Sequence, residues 1–320
     1  MRGTPIRRLA LGASLAVLVA ALPATAAGPQ LEDPEGTVVQ ELVVRAAATG
    51  PAWWTVEHNG SVVQIMGLPD EPIPKGLRWD QGLLQRRLTG AGALIVPVDY
   101  RAGLGDIPAI MRMISRLKSH TPMEQGLPAP LAARFAAART KLGKPASRYS
   151  GWVPIVAGQL LVNDFHDGAK TTTKEPQAAI RGLAGRQHVP IRPAAKVRAM
   201  GVLDPITKNL TTETNQACLA EALDEVDAGA GAVDSAAAAW ARGDVPGVLA
   251  GPRGFATCLL LLQGGAALWR QTMGEYADAV AAALQKPGRS VAVFPIRALV
   301  AQDGVLERLK ARGFEVTGRA

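Results

Sequence analysis

Short β-type patterns of hydrophobic and polar residues lie in the first third of this chain. Residues 37–45 have a strand-like pattern. Two β-prone runs, 53–57 and 61–66, flank the segment 58–60, which ends in an Asn-Gly pair. An Asn-Gly pair between such runs predicts a β-hairpin. The apolar run 93–98 predicts a buried strand, so a hairpin and a further strand open the folded region.

The middle of the chain has the spacing of amphipathic helices instead. In the segment 80–89, the spacing of Leu83, Leu84 and Leu88 predicts a short helix. From about residue 107 to residue 288, apolar residues recur mostly at helical spacing, and clusters of glycine and proline separate the individual segments. We therefore predict a long helical middle region.

The pattern returns to strand, helix and strand in the last thirty residues or so. Residues 290–294 predict a buried strand, 304–312 a helix and 314–317 a final strand. Sheet-forming segments thus lie on both sides of the helical region. The chain is predicted to be α+β, with a small mixed β-sheet formed from N- and C-terminal segments and surrounded by helices.

Composition and charge exclude one class of partner. Hydrophobic residues make up 48% of the 320 positions, which is enough to bury a substantial core. The formal charge is +8, but the basic residues are scattered and aromatic residues make up only 4%. Nucleic-acid binding needs a concentrated basic surface, so we expect no nucleic-acid partner.

The N-terminus has the three parts of a secretory signal peptide. Arg7 and Arg8 precede the apolar run 9–22, and small residues follow at 24–27. The run is shorter than the roughly 20 residues that span a bilayer, which weakens the alternative of a membrane anchor. We expect residues 1–27 to be removed, leaving a periplasmic or secreted protein without a stable membrane span.

The mature chain is predicted to have one domain. Residues 28–50 form a lead-in segment and a strand, and residues 51–320 form the domain itself. Two cysteines, Cys218 and Cys258, lie in segments with a helical pattern. An even pair in an exported chain suggests a disulfide, and two buried thiols are the alternative. The sequence leaves both open because a bridge depends on the Cα separation.

Two segments near opposite ends resemble the metal-binding motifs of a known family. Gly67-Leu-Pro-Asp70 and Pro295-Ile-Arg-Ala298 each follow a predicted strand. Their positions are similar to those of the two Gly-x-x-His motifs in the TraB/GumN family, to which the Tiki metalloproteases also belong. Weaker similarities in the same order and spacing extend the resemblance from about residue 51 to the C-terminus, at 91–99, 148–152, 240–244, 268–271 and 303–316.

The resemblance implies a divalent metal centre, but this chain departs from the family at the ligand positions. Asp70 and Ala298 stand where the family has histidine, and Pro97 stands where it has glutamate. Ala298 and Pro97 offer no donor, and the cation of Arg297 opposes metal binding and favours an anion. We therefore expect no cofactor and no hydrolytic activity.

The resemblance with these changes predicts a catalytically degraded relative of metal-dependent hydrolases. Its expected role is to bind a peptide or an acidic small molecule. A cleft at the sheet edge would be formed by the following candidates: Gly67, Asp70, Asp99, Arg270 and Arg297.

Two other functions remain compatible with the sequence. One is an active metal-dependent peptidase or hydrolase that holds manganese, cobalt or zinc through Asp70, Asp99 and His166. His166 lies between two carboxylates in the run 163–167, although such a polar run is also typical of a solvated helix end. The other is a structural component of the cell envelope. The sequence contains no Gly-x-Ser-x-Gly elbow and no nucleotide-binding glycine motif.

Overall fold

A six-stranded sheet joins segments from both ends of the chain. The computed structural model describes residues 33–43, 50–253 and 256–319. Within them the strands are β1 (Trp53–His58), β2 (Ser61–Leu68), β3 (Ile73–Pro74), β4 (Leu94–Val96), β5 (Asp99–Arg101), β6 (Thr171–Thr172), β7 (Ile191–Pro193), β8 (Lys196–Arg198), β9 (Arg289–Pro295) and β10 (Glu315–Arg319).

Helices surround this sheet and make up most of the middle of the chain. They are α1 (Gly82–Leu88), α2 (Ile107–Arg116), α3 (Ala129–Lys141), α4 (Pro154–Gly168), α5 (Lys174–Arg186), α6 (Ala199–Lys208), α7 (Thr212–Ala241), α8 (Val245–Leu249), α9 (Ala256–Leu261), α10 (Gly265–Leu284), α11 (Ile296–Val300) and α12 (Val305–Ala311). The α+β class and the mixed sheet are therefore as predicted. None of the helices in the described residues is long and apolar enough to cross a membrane.

The sheet has the strand order β10-β1-β2-β9-β4-β7. The predicted hairpin is present, since β1 and β2 are antiparallel and Asn59 and Gly60 between them both have positive φ. Strand β1 also pairs antiparallel with β10. Strands β2, β9, β4 and β7 run parallel to one another, so their carboxyl ends lie at one edge of the sheet.

Three apolar clusters form the core. One contains Trp54 and Ile65 from one sheet face, and another contains Trp53 and Met66 from the opposite face. This is the alternation expected of strands covered on both sides. The third cluster lies among helices of the middle region, including α4 and α7, whose Leu161 and Leu219 are fully buried.

A disulfide stabilises the helical middle region. Cys218 on α7 is bonded to Cys258 on α9, with the two Cα atoms 5.1 Å apart. Of the two alternatives that the sequence left open, the bridge is the one formed. The closed loop is long enough that the bridge restricts the unfolded chain considerably.

The lead-in to β1 differs from its prediction. The segment 37–43 contains only an isolated bridge between Val38 and Ala301 and a 3-10 turn at Gln40–Leu42. The Trp54 indole Nε1–H donates a hydrogen bond to the Leu42 carbonyl at 2.9 Å, which holds this turn against the sheet. The predicted strand over 37–45 is wrong as far as residue 43, and residues 44–45 lie outside the described part. The predicted signal peptide also lies outside it.

Candidate functional site

The carboxyl edge of the parallel strands brings Asp70 and Arg297 together. Asp70 follows β2, and Arg297 lies in the first turn of α11, directly after β9. Because β2 and β9 pair in register up to Leu68 and Pro295, the residues that follow them meet. The Arg297 backbone N–H donates to Asp70 Oδ1 at 3.0 Å, and Arg297 Nε lies 3.7 Å from Asp70 Oδ2.

The Arg297 guanidinium occupies the interior of this edge. Its side chain is 8% exposed, and Nη2 donates hydrogen bonds to the carbonyls of Leu249 and Gly251 at 2.8 and 3.3 Å. The adjacent Ala298 is buried and has no ligating atom. A positive charge therefore lies next to one position that the family resemblance assigns to a metal ligand.

Gly67 has a packing role at the same edge. A Cβ at this position would lie 2.5 Å from Cγ1 of Ile296, closer than real contacts allow. Its carbonyl accepts a hydrogen bond from the Trp240 indole Nε1–H at 2.9 Å. Glycine is required here because the β2 backbone approaches α11 too closely for any side chain.

Carboxyl groups are crowded around this edge and are poorly solvated. Burial raises the pKa of Asp70 to about 7, although the Arg297 N–H and guanidinium act in the opposite direction. Burial, together with the nearby charges of Glu225 and Asp70, raises the pKa of Glu71 to about 9. Burial also raises the pKa of Glu35. The nearby positive charge is too small to offset their burial, so the ionised forms of these carboxyls are disfavoured.

A second constellation adjoins the first and contains His166. On α4, His166 Nε2 lies 2.6 Å from Glu225 Oε1 of α7, and His166 Nδ1 lies 2.8 Å from Thr171 Oγ1 of β6. Glu71, next to Asp70, completes the group, and one ligating atom from each of Glu71, His166 and Glu225 lies within 4.8 Å of the others. The His166 side chain is only 12% exposed, whereas Asn163 and Asp167 in the same run, at the end of α4, are exposed.

The sequence did not single out Glu71 or Glu225. A signal for Glu225 exists, because it falls within the apolar stripe that contains Leu219, Ala222 and Val226 on α7. A carboxylate at a core-facing helix position needs a partner, which is a reason to examine it.

The remaining candidate residues lie at other places. The Asp99 carboxylate on β5 pairs with Arg101 at 2.6 Å and lines a cavity of about 410 Å³. Arg270 on α10 is exposed and lines a cavity of about 280 Å³ together with Asp33 and Asp303. Asp70 borders a cavity of only about 20 Å³. Asp70, Asp99 and Arg270 thus border separate cavities. Of the five residues predicted for a cleft, the described part of the structure shows direct contact between Asp70 and Arg297.

The 410 Å³ cavity opens at the carboxyl edge of the parallel strands. Strand ends and α5 supply apolar lining through Leu68, Val96 and Ile180. The charged part of the lining includes Arg101 and Arg181 as well as Asp99. A pocket with an apolar base and a few charged groups at the rim is suited to a small ligand that has an apolar part and a charged part.

These features define an α+β protein with an acidic site and a cavity at the carboxyl edge of a mixed sheet. The model of the TraB/PrgY/gumN family matches residues 52–318. The chain therefore belongs to the TraB/PrgY/gumN family, as the resemblance predicted. No curated protein and no solved structure gives a match.

Proposed function

We propose that this protein is an exported, catalytically degraded member of its family that binds a peptide or an acidic small molecule without cleaving it. The observation that carries the proposal is the buried pair of Asp70 and Arg297 at the sheet edge. The family resemblance puts metal-binding histidines at residues 70 and 298, and this chain has Asp70 and Ala298 there.

The Arg297 side chain argues against metal chemistry at that position. A guanidinium remains protonated and has no lone pair to give to a metal. Its charge repels a second cation, and its hydrogen bonds to the Leu249 and Gly251 carbonyls hold it in the interior. A metal could then neither gain a ligand from residue 298 nor displace the arginine without leaving those carbonyls unpaired.

The 410 Å³ cavity is the place where a ligand would bind. It lies outside the carboxyl ends of parallel strands, where α/β sheets commonly bind ligands. Arg101 and Arg181 can receive a carboxylate, and the base formed by Leu68, Val96 and Ile180 can receive an apolar side chain. A short peptide with a free carboxyl terminus and an apolar last residue has both features.

Export is supported by two independent features. The pattern of residues 1–27 is that of a secretory signal peptide. The bond between Cys218 and Cys258 is typical of an oxidising compartment.

Binding can be tested with N-acetylated dipeptides that end in leucine, supplied either as free acids or as C-terminal amides. Calorimetric titration of the mature protein should detect the acids and weaker binding of the amides, because the amides lack the charge that Arg181 would hold. Arg181→Ala should weaken binding of the acid about tenfold or more. Arg112→Ala on the exposed surface of α2 is the matched control and should bind normally.

Cleavage is followed in the same samples by mass spectrometry. The peptides should remain intact with added Mn²⁺, Co²⁺ or Zn²⁺. Cleavage that stops with a chelator and resumes with metal would refute the proposal and support an active hydrolase with altered ligands. Equal binding of acids and amides would place the ligand elsewhere.

A further inference from the structure

We propose that Glu71, His166 and Glu225 form a binding site for one divalent transition-metal ion, independently of the proposed peptide site. The juxtaposition that carries the inference is that of one imidazole nitrogen and two carboxylate oxygens, all within 4.8 Å of one another. This set differs from the positions that the family resemblance assigns to a metal.

The three side chains are of the right type and almost at the right separation. Zinc takes imidazole nitrogen and carboxylate oxygen at about 2.0–2.2 Å, so two ligands of one ion lie at most about 4.4 Å apart. A separation at the 4.8 Å limit would have to shorten by a few tenths of an ångström, and His166 Nε2 and Glu225 Oε1, now 2.6 Å apart, would have to move apart. Manganese and cobalt accept the same mixture of donors.

His166 is already oriented as a ligand. Thr171 Oγ1 donates to the His166 carbonyl at 3.4 Å and lies 2.8 Å from His166 Nδ1, so the hydroxyl can accept the Nδ1–H. That arrangement directs Nε2 towards Glu225 Oε1, 2.6 Å away, and binding of an ion would release the proton that these two atoms share. A hydrogen bond at the second ring nitrogen is the usual support of a metal-binding histidine.

An ion pair between His166 and Glu225 alone would not explain why the Glu71 carboxyl lies beside them. In the described part of the chain, only charges and burial act on the Glu71 carboxyl, and no hydrogen bond offsets its burial. The Glu225 side chain is 2% exposed. Glu71 and Glu225 each place a carboxylate oxygen within 4.8 Å of the imidazole, and a divalent ion there would favour the ionised form of Glu71 over the protonated form that its burial favours.

The loop that carries Glu71 also has a carboxylate oxygen without a hydrogen-bond partner. Asp70 Oδ2, on the residue before Glu71, is buried and accepts no hydrogen bond from the described residues. Asp70 and Glu71 border a cavity of about 20 Å³, which has room for one water molecule. Water bound there could donate to the Asp70 oxygen, and His166 and Glu225 do not line this cavity.

The ion would join three separate parts of the fold. Glu71 belongs to the loop after β2, His166 to α4 and Glu225 to α7. Binding would therefore attach the sheet-edge loop to the helical middle region. Since the ligands bind the ion only in the folded state, the ion should stabilise the protein in proportion to its occupancy.

The test uses the full mature chain after dialysis against EDTA, titrated calorimetrically with ZnCl₂ and with MnCl₂. The expected result is saturable binding of one ion per chain by at least one metal, together with a higher melting temperature. Glu71→Gln should weaken binding about tenfold or more. The metal-free variant should melt no lower than the wild type, because its amide removes a poorly solvated acid.

Glu275→Gln, at a half-buried glutamate of α10, is the matched control and should bind the ion normally. His166→Ala provides a second ligand deletion. The inference is overturned if neither metal binds with one-to-one saturation, or if Glu71→Gln and His166→Ala both keep wild-type affinity. Peptide binding is measured with and without metal, so failure of the peptide site would be seen separately.

Discussion

Two aspartates are shielded from solvent: Asp164 in the helical region and Asp70 at the sheet edge. They show how shielding affects the pKa of a carboxyl that has several hydrogen-bond donors and of one that has few. The Asp164 side chain is 2% exposed. It pairs with the Arg148 guanidinium through both oxygens and accepts a hydrogen bond from the Tyr149 hydroxyl at 2.7 Å. Asp70 receives one backbone N–H at 3.0 Å, and its Oδ2 has no hydrogen-bond partner.

The two carboxyls respond in opposite directions. Burial raises the pKa of Asp164, but hydrogen bonds from Arg148 and Tyr149 outweigh it, so the net pKa is lowered. Burial dominates at Asp70 and raises its pKa to about 7. The comparison teaches that the number of hydrogen-bond donors, rather than burial alone, decides whether the pKa of a carboxyl is lowered or raised.

The largest expected effect comes from removing the well-partnered group. Asp164→Ala should lower the free energy of unfolding by about 3–5 kcal/mol, because the Arg148 and Tyr149 groups that face it lose their acceptor. Urea unfolding followed by circular dichroism measures this change. Asp234→Ala, on the exposed side of α7, is the control and should cost less than about 0.5 kcal/mol. If both variants lowered the free energy of unfolding by a similarly small amount, the partners of Asp164 would not stabilise the fold as proposed.

A change of pH should have an intermediate effect on stability. The melting temperature of the metal-free protein measures this effect. Asp164 has a lowered pKa, so its stabilisation is present above the unfolded pKa of about 3.9 and is lost as pH falls through the folded value. Asp70 has a raised pKa, so its protonated form favours the folded state and stability falls as pH rises from about 4 to about 7.

Two variants separate these contributions. Asp164→Asn should reduce the fall in melting temperature at acid pH. Asp70→Asn should reduce the fall in melting temperature between about pH 4 and 7. Each variant is the control for the other because each should leave the opposite limb of the curve unchanged. Identical pH profiles for wild type and Asp70→Asn would show that the carboxyl is better solvated than its burial suggests.

The smallest loss of stability is expected for Asp70→Asn at neutral pH. The amide oxygen can still accept the Arg297 N–H, and the raised pKa of Asp70 means that burial already outweighs the attraction of the guanidinium. The free energy of unfolding should therefore stay equal or increase. Chemical denaturation at pH 7 provides the value. A loss above about 2 kcal/mol would mean that Asp70 is as firmly partnered as Asp164.

Local patterns in the sequence were sufficient for most of the fold. The Asn59-Gly60 turn and the β-type pattern of β1 and β2 depend on neighbouring residues only, so the hairpin could be predicted from the sequence. The segment 37–43 could not, because its 3-10 turn depends on the distant Trp54 indole. The disulfide depended on a Cα separation of 5.1 Å that only the packing of α7 and α9 creates.

The candidate site was predictable only in part. Parallel strands place the residues after β2 and β9 at one edge, so the meeting of Asp70 and Arg297 follows from the two motifs. Glu225 reaches His166 because α7 packs against α4, a long-range contact. The apolar stripe of α7 marks Glu225 as a carboxylate that needs a partner, but the sequence does not identify His166 as that partner.

The pairing of β1 with β10 has a consequence for how the protein folds. Trp53 lies opposite Arg319 in the antiparallel pair, and β2 lies beside β9. The first hairpin can form early during translation, yet its neighbours on both sides lie more than 200 residues further along the chain. High contact order of this kind slows folding, so the nascent chain must carry two unpaired strand edges until these distant strands have been synthesised.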